Sequence, residues 1–320
     1  MTKSALKSDS QFNNDEWSSG AEFYEYMSAN NPDMPTIEIK AFDASLHKSG
    51  ETRIIPMDMS EGLKTDYPAT TPNLMANFLR ICPNDTLKTA AAASSEMFYV
   101  IRGKGTTGTE WGVTSWKEGD LFVIPTTEGA VHTALEDSAI YWVTDSPVLK
   151  YLGVQPSDKQ FSPVLFTHEQ IQEKIMAERS APDALSRNRI GVLLGNPACP
   201  FTKTLTHTLW SLYNILPAGG TQLPHRHNSV AIDFCVYAGE KTYTLIGEKI
   251  DENGHIIDPV KADWTSGSVF VTPPGWWHSH HNESGEDAIV LPIQDAGLVT
   301  YMQILDIQFV REQAELQRAD

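Results

Sequence analysis

The same order of short elements occurs twice along this chain, and that repeat constrains the fold more than any other feature. Each half has six residues between an opening position and a glycine, then five residues between a glycine and a proline, then a histidine. The two sets are Glu96 to Gly103, Gly119 to Pro125 and His132, and Ile232 to Gly239, Gly267 to Pro273 and His278. The runs are rich in Val, Ile, Phe, Tyr and Trp and are bounded by turn formers, which is typical of β-strands. A duplicated all-β module is the simplest prediction.

The strand pattern is interrupted between the two copies. Thr167 and Gln170 have the spacing of a capping box, and the helical pattern after them continues until Pro182 makes continuation unfavourable. We therefore predict four regions. They are an N-terminal extension over 1–60, a first module over 61–155, a helical linker over 156–200 and a second module over 201–320.

Composition excludes several classes of partner. The 320 residues include 24 Lys and Arg against 41 Asp and Glu, a formal net charge of -17. Such an acidic surface repels nucleic acid and anionic membranes. No apolar run reaches the ~18 residues of a membrane-spanning helix, and the first residues lack the apolar stretch of a secretory signal. We therefore expect a cytoplasmic protein.

Histidine is the residue type to search for metal chemistry, because the three cysteines are widely spaced and form no CxxC pair. His225 and His227 lie two residues apart and would project from one face of a strand. Alone, such a pair is also typical of a solvated strand end. His278 supplies a third histidine after an apolar run and a proline-glycine turn. Together the three favour one metal site.

These stretches resemble the paired signatures of the cupin superfamily, G-x5-HxH-x3/4-E-x6-G and G-x5-PxG-x2-H-x3-N. The second signature matches at every defined position, from Gly267 to Asn282. The chain thus resembles a bicupin over about residues 60–310. The resemblance implies an all-β fold of two double-stranded β-helix (jelly-roll) modules, joined by a short helical connector and preceded by an irregular N-terminal extension. It also implies that His225, His227 and His278 bind a divalent metal, whereas the usual glutamate falls on Ile232.

A narrower resemblance is to the bicupin dioxygenases that act on gentisate, salicylate or 1-hydroxy-2-naphthoate. It rests on THTLWSLYNILPAGGTQLPHRHNSVAIDF and PPGWWHSHHN. The residues shared with that group are Leu209, Trp210, Leu216, Pro217, Pro224, His225, Arg226, His227, Ala231, Phe234, Trp277, His278, His280 and Asn282. The resemblance implies iron(II), dioxygen, ring cleavage, and a homodimer or homotetramer.

The chain departs from this group in two places. The first module has Thr89 to Ala93 where the histidine pair should lie, so that only Glu96 and His132 remain. We predict that this module is metal-free and acts as a packing partner and dimerisation scaffold. The arginine that is thought to clamp the substrate carboxylate in the group is Asp233 here. In the pocket, Asp233 would repel a carboxylate and favour an amine or hydroxyl donor; the alternative is a salt bridge with a neighbouring Arg or Lys.

Further site residues follow from position. His280 shares a strand face with His278 and is the candidate catalytic base or hydrogen-bond donor; the alternative is a hydrogen-bonded histidine at the barrel mouth. Trp210, Phe234 and Trp277 are candidates to line an aromatic slot, with packing in the strand core as the alternative for each of them and above all for Trp210. The arginines that could counter a substrate anion are Arg53, Arg80, Arg102 and Arg226.

The leading hypothesis is an iron(II)-dependent bicupin dioxygenase. It would cleave a small gentisate-, salicylate- or aminophenol-like substrate with dioxygen in the second module. Cupins also support redox-neutral isomerases, lyases and aminohydrolases with manganese, nickel or zinc, so that class stays open. A third hypothesis is ligand binding without catalysis.

Overall fold

The computed structural model describes residues 17–30 and 32–310. The chain divides into one unit over Met1–Pro35 and a second over Thr36–Asp320. In the described part of the first unit, helix α1 spans Tyr26–Ala29, and the Glu25 side chain accepts hydrogen bonds from its first turn. No helix in the described part of the chain has the length and apolarity needed to cross a membrane. The second unit contains both repeats.

The first repeat forms two antiparallel sheets. Its strands are β2 (Arg53–Pro56), β3 (Met75–Ile81), β4 (Thr86–Thr89), β5 (Ser95–Arg102), β6 (Lys104–Thr109), β7 (Gly112–Lys117), β8 (Leu121–Pro125), β9 (Ala130–Ala134), β10 (Ser138–Thr144) and β11 (Val164–Phe166). The strand order is β11-β8-β5-β10-β3-β2 in one sheet and β4-β9-β6-β7 in the other. Phe98, Phe122 and Trp142 stack between the sheets and fill the module interior.

The second repeat has the same two-sheet plan. Its strands are β12 (Ile190–Leu193), β13 (Trp210–Leu216), β14 (Thr221–His227), β15 (Ala231–Tyr237), β16 (Thr242–Gly247), β17 (Val260–Asp263), β18 (Val269–Thr272), β19 (Trp277–Asn282), β20 (Ala288–Gln294) and β21 (Ile307–Phe309). Strand β1 (Ala41–Phe42), from the predicted N-terminal extension, pairs with β18 and adds an edge strand to this module. The orders are β1-β18-β15-β20-β13-β12 and β17-β16-β19-β14-β21. The predicted all-β architecture is confirmed.

Short helices connect the strands. They are α2 (Ser45–Lys48), α3 (Ser60–Leu63), α4 (Ser146–Leu152), α5 (His168–Arg179), the 3-10 turn Ala184–Ser186 and α6 (Ala296–Tyr301). Helix α5 begins at the predicted capping box, in which Thr167 and Gln170 each bond the other's backbone N–H. The segment 156–200 also contains β11 and β12, which pair with β8 and β13 and so add one edge strand to each module.

A shared apolar core joins the modules. Tyr99 and Tyr141 of the first module and Phe234 of the second belong to one buried cluster. The rings of Tyr141 and Phe234 stack with centroids 5.0 Å apart, and Tyr99 lies 5.3 Å from Phe234. Strand β15 therefore has one face in this core. Its other face, which carries Asp233 and Cys235, points into the second module.

Candidate metal centre

Two paired strands bring three histidines together inside the second module. His225 and His227 lie on the inner face of β14, and His225 pairs directly with His278 on β19. All three side chains are buried, and their ligand nitrogens lie within 4.8 Å of one another. Among the described residues this is the one such group of three or more His, Cys, Asp or Glu. We call it the histidine triad.

Hydrogen bonds orient each ring of the triad. Nδ1 of His225 lies 3.1 Å from the carbonyl oxygen of His278, Nδ1 of His227 lies 2.8 Å from that of Ser229, and Nδ1 of His278 lies 3.1 Å from that of Trp276. A carbonyl only accepts, so each Nδ1 carries the proton and each Nε2 presents a lone pair. Backbone carbonyls of this kind are the usual outer partners of metal-binding histidines.

Burial keeps the triad uncharged. Burial lowers the pKa of His227 to about 4, and burial with the nearby Arg189 guanidinium holds the pKa of His225 well below its usual value. Burial and then His227 act in the same direction on the pKa of His278. Neutral imidazoles with free Nε2 lone pairs are the form that coordinates a divalent transition metal. The donor set therefore fits such an ion.

Arg189, just before β12, extends its guanidinium to the triad. It donates to Oε1 of Gln222, and its Nη2 lies 2.7 Å from both ring nitrogens of His225. Only Nε2 of His225 is free to accept, so the guanidinium and a metal ion would compete for one lone pair. For a metal ion to bind Nε2, Arg189 would have to turn away, and its donors would then be available to an anion in the cavity.

The triad opens onto a cavity of about 180 Å³. Apart from the three histidines and His280, it is lined by Arg189, Leu193, Trp210, Leu212, Asn214, Asp233, Val290, Pro292, Gln294, Ile307 and Phe309. The volume lies below the ~300 Å³ of pockets for drug-sized ligands. The cavity therefore suits a single small ring rather than a fused ring system.

Asp233 lies in this cavity wall. Its Oδ2 accepts a hydrogen bond of 2.7 Å from Thr272. Burial raises the pKa of the carboxyl to about 7, while Thr272 and then Arg189 oppose the rise. Among the described residues, no Lys or Arg forms an ion pair with it. The salt-bridge alternative is thus not what the structure shows.

His280 lines the cavity from β19, and a threonine holds its ring. Its Nδ1 lies 2.8 Å from Oγ1 of Thr244, which in turn accepts from Nε1 of Trp264 at 2.8 Å. Its nitrogens are not part of the triad. His280 therefore presents Nε2 to the cavity beside the ligands.

Three predicted substrate-binding residues lie away from the cavity. Phe234 faces the core between the modules, because alternation along β15 turns it opposite to Asp233. Arg226 and Trp277 alternate with the inward histidines and meet each other outside, with the guanidinium 5.4 Å from the ring. These three assignments are corrected, whereas Trp210 does line the cavity.

The predicted choice of arginines is also corrected. Arg53 donates to backbone carbonyls, and Arg80 and Arg102 pair with Asp137 in the first module. The arginine at the site is Arg189, which falls within the segment predicted as a helical linker. The apolar run that follows it, IGVLLG, is the signal that marks a strand and could have placed it beside a sheet.

In the first module the ligand positions carry no ligands. Thr89 pairs with Ala130 across two strands of the first module, at the positions where His225 pairs with His278 in the second. His132 corresponds instead to His280, because its Nδ1 lies 2.8 Å from Thr107, which accepts from Trp116. Its Nε2 lies 3.0 Å from Thr89, so it is a satisfied core histidine.

Glu96 in that module is also buried, and among the described residues no Lys or Arg forms an ion pair with it. Glu96 pairs with Ile124 in the first module, and Ala231 pairs with Thr272 at the same place in the second module. The strand register therefore aligns Glu96 with Ala231 and not with Ile232. Its carboxylate accepts from Nε1 of Trp142 at 2.9 Å. Burial raises its pKa to about 7, against an ordinary value of 4.5.

Replacing Glu96 with glutamine is expected to stabilise the protein at pH 8 but not at pH 4. The unfolded carboxyl releases its proton above about 4.5 and the folded one only near 7, so the wild type loses stability between these values, by up to about 3 kcal/mol. Glutamine cannot ionise and keeps the acceptor for Trp142. Urea unfolding at both pH values measures the effect, with exposed Glu240→Gln as control. Equal gains at both pH values would contradict this origin.

A larger open groove lies on the first module. It measures about 950 Å³ and has Lys88, Glu110 and Lys159 in its lining. Lys159 is already paired with Glu110 at 2.7 Å. We therefore assign the candidate site to the smaller cavity, because the histidine triad lines it.

Comparison with known proteins points to one group. The chain is 32% identical over 127 residues to 5-aminosalicylate 1,2-dioxygenase of a Comamonas species, which is 38% of this chain and 33% of that protein. It is 25% identical over 139 residues to gentisate 1,2-dioxygenase 1 of Aquipseudomonas alcaligenes, which is 43% of this chain and 37% of that protein. The matches thus span less than half of these curated relatives. No family model matches the chain.

Solved structures show the fold over nearly the whole chain. A mutant of salicylate 1,2-dioxygenase from Pseudoaminobacter salicylatoxidans in complex with gentisate covers 90% of each chain with a TM-score of 0.68 and 14% identity. An oxalate decarboxylase structure covers 83% of this chain and 78% of its own, with a TM-score of 0.54 and 14% identity. The predicted fold is confirmed. The chain has the fold of the salicylate 1,2-dioxygenase structures, and part of its sequence is similar to the 5-aminosalicylate and gentisate 1,2-dioxygenases.

Proposed function

We propose that this protein is an iron(II)-dependent dioxygenase that opens the ring of a small salicylate- or gentisate-like substrate in its second module. The observation that carries the proposal is the histidine triad. Three neutral imidazoles, each with Nδ1 bonded to a backbone carbonyl, open onto a ring-sized cavity. The names of the related 5-aminosalicylate and gentisate dioxygenases support the same reaction class.

The donor set is consistent with iron(II). Three imidazoles without a carboxylate leave open positions on an octahedral ion and its charge uncompensated, which favours an anionic bidentate ligand. Iron(II) held there would supply Lewis acidity to a phenolic oxygen and electrons to dioxygen. Both atoms of dioxygen end in the ring-opened product, so the net reaction needs no external reductant.

The protein's own residues bind and orient the substrate. Arg189 supplies charge-assisted donors for a carboxylate once its contact with His225 is released. Trp210, Val290 and Phe309 provide apolar surface for a ring. His280 holds Nε2 at the cavity wall, where it exchanges a proton with a phenolic oxygen of the bound ring.

Oxygen uptake tests the proposal. Protein reconstituted anaerobically with iron(II) is expected to consume one dioxygen per molecule of gentisate, salicylate or 5-aminosalicylate, with loss of the aromatic absorbance. The same protein loaded with zinc should consume none, since zinc has no redox chemistry. If no member of this series leads to oxygen uptake by the iron protein, the dioxygenase proposal is wrong. The redox-neutral class then becomes the leading candidate.

Assembly as a homodimer or homotetramer rests on the resemblance alone. A location in the cytoplasm stays a prediction from the sequence composition. The four regions bounded at residues 60, 155 and 200 also stay predictions. Sedimentation of the purified protein tests the assembly.

A further inference from the structure

A chain of hydrogen bonds runs from a tryptophan to His280 in the second module. Nε1 of Trp264 donates to Oγ1 of Thr244 at 2.8 Å, and the same oxygen lies 2.8 Å from Nδ1 of His280. The indole N–H can only donate, so this end of the chain has a fixed direction. Thr244 is fully buried, and among the described residues its hydroxyl has no other partner. The hydroxyl hydrogen therefore has one acceptor within reach, which is Nδ1 of His280.

This direction decides which nitrogen of the His280 ring carries the proton. If Nδ1 carried it, the Thr244 oxygen would accept two N–H bonds and its own hydrogen would be buried without a partner. Such an unsatisfied buried donor is unfavourable. The hydroxyl therefore donates to Nδ1, and the ring proton lies on Nε2 at the cavity. The three histidines of the triad have the opposite tautomer, because backbone carbonyls accept from their Nδ1.

The first module contains the same chain of hydrogen bonds. Nε1 of Trp116 donates to Oγ1 of Thr107 at 2.9 Å, and this oxygen lies 2.8 Å from Nδ1 of His132. All three side chains are buried. The same reasoning places the proton of His132 on Nε2.

The partner of Nε2 differs between the two modules. Nε2 of His132 lies 3.0 Å from Oγ1 of Thr89, which occupies the position of His225. With its proton on Nε2, His132 donates to that oxygen. Among the described residues no protein group bonds Nε2 of His280, which is part of the cavity lining. A ligand oxygen at this place would accept the corresponding hydrogen.

We propose that Thr244 and Trp264 are positioning residues that fix His280 as the Nε2–H tautomer, and that His280 donates from Nε2 to an anionic oxygen of the bound ligand. This rests on the proposed function for the identity of the ligand, a ring with a carboxylate and a phenolic oxygen. Of the two roles predicted for His280, base and hydrogen-bond donor, the tautomer selects the donor for the substrate complex. Any exchange of a proton with that oxygen then starts with the proton on His280.

Nitrogen-15 NMR of histidine-labelled protein reads the tautomer without substrate or turnover. Zinc replaces iron in this experiment, because its filled d shell makes it diamagnetic. The His280 signal, identified by its loss in His280→Gln, is expected to show a protonated Nε2 and an unprotonated Nδ1. The triad should show the proton on Nδ1 in the same spectrum.

Variants of the chain test its role in fixing the tautomer. Thr244→Ser keeps the hydroxyl and should keep the wild-type signal of His280. Thr244→Val has nearly the same shape without the hydroxyl and should give a mixture of both tautomers. Trp264→Phe leaves the hydroxyl free to accept from Nδ1 and should also give a mixture. Thr107→Val is the matched control, because it should change the signal of His132 and leave that of His280 as in wild type.

Calorimetry with salicylate on the iron(II) protein without oxygen tests the donation to an anionic oxygen. Thr244→Val is expected to lower the affinity about tenfold relative to Thr244→Ser, because hydrogen bonds to charged groups contribute about that much. Thr107→Val should bind salicylate as the wild type does.

Either of two results would overturn the proposal. One is a wild-type His280 that carries its proton on Nδ1. The other is a folded Thr244→Val protein that keeps the wild-type tautomer or the wild-type affinity for salicylate. Failure of the proposed function is distinguishable, because it appears as absent oxygen uptake while the tautomer of His280 and its response to Thr244→Val persist.

Discussion

Replacing His227 with alanine is expected to lower metal affinity by more than about a hundredfold and to reduce oxygen uptake to the background rate. Loss of an outer hydrogen-bond partner of a metal ligand already costs about 10–100-fold, so loss of a ligand itself should exceed that. The remaining His225 and His278 supply two nitrogens, fewer than the three that hold such ions in catalytic sites. Metal content after desalting and the oxygen electrode measure the two effects.

His281→Ala is the matched control for this variant. His281 lies on β19 next to His280 but points outward, where its ring stacks on Tyr243 with centroids 5.0 Å apart. It should therefore keep metal content and oxygen uptake close to wild type. Circular dichroism establishes that both variants are folded. A folded His227→Ala protein that retains one equivalent of metal at wild-type affinity would contradict the assignment of the triad.

The triad was predictable because its geometry follows from local spacing. Two residues at i and i+2 on a strand share a face, and the glycine and proline pattern of the second repeat placed His278 on the neighbouring strand. The same period made Asp233 and Phe234 point opposite ways. The sequence does not say which face of β15 meets the cavity. Because Asp233 and Phe234 point to opposite faces, only one of them could line the cavity, and the prediction that both do was wrong for one.

Arg189 shows a different limit. It lies 36 positions before His225 (225 − 189 = 36) and reaches the triad only because β12 pairs with β13 at the edge of a sheet. Such a contact depends on tertiary pairing and not on local period. The one-residue difference in the repeat, with Glu96 aligned to Ala231, likewise follows from strand register, which small changes in loop length alter.

Replacing Phe234 with alanine is expected to destabilise the protein by about 3–5 kcal/mol while leaving substrate affinity close to wild type. The ring is 1% exposed and lies between Tyr99 and Tyr141, so its removal leaves a cavity in the core that both modules share. Denaturant unfolding measures the first effect, and KM in the oxygen assay, at a temperature where the variant is folded, measures the second.

Phe309→Ala makes the same chemical change in the cavity lining of the second module. This ring is 48% exposed and lies in the cavity lining, stacked 5.7 Å from His225. Its loss should cost only about 1 kcal/mol of stability, because about half of its apolar area is already exposed, and should raise KM instead. The two variants together distinguish a packing role from a binding role. If the Phe234 ring contacted the substrate, Phe234→Ala would raise KM as Phe309→Ala is expected to. A large KM effect with little loss of stability in Phe234→Ala would therefore restore that residue to the site and contradict the position of β15 in the core.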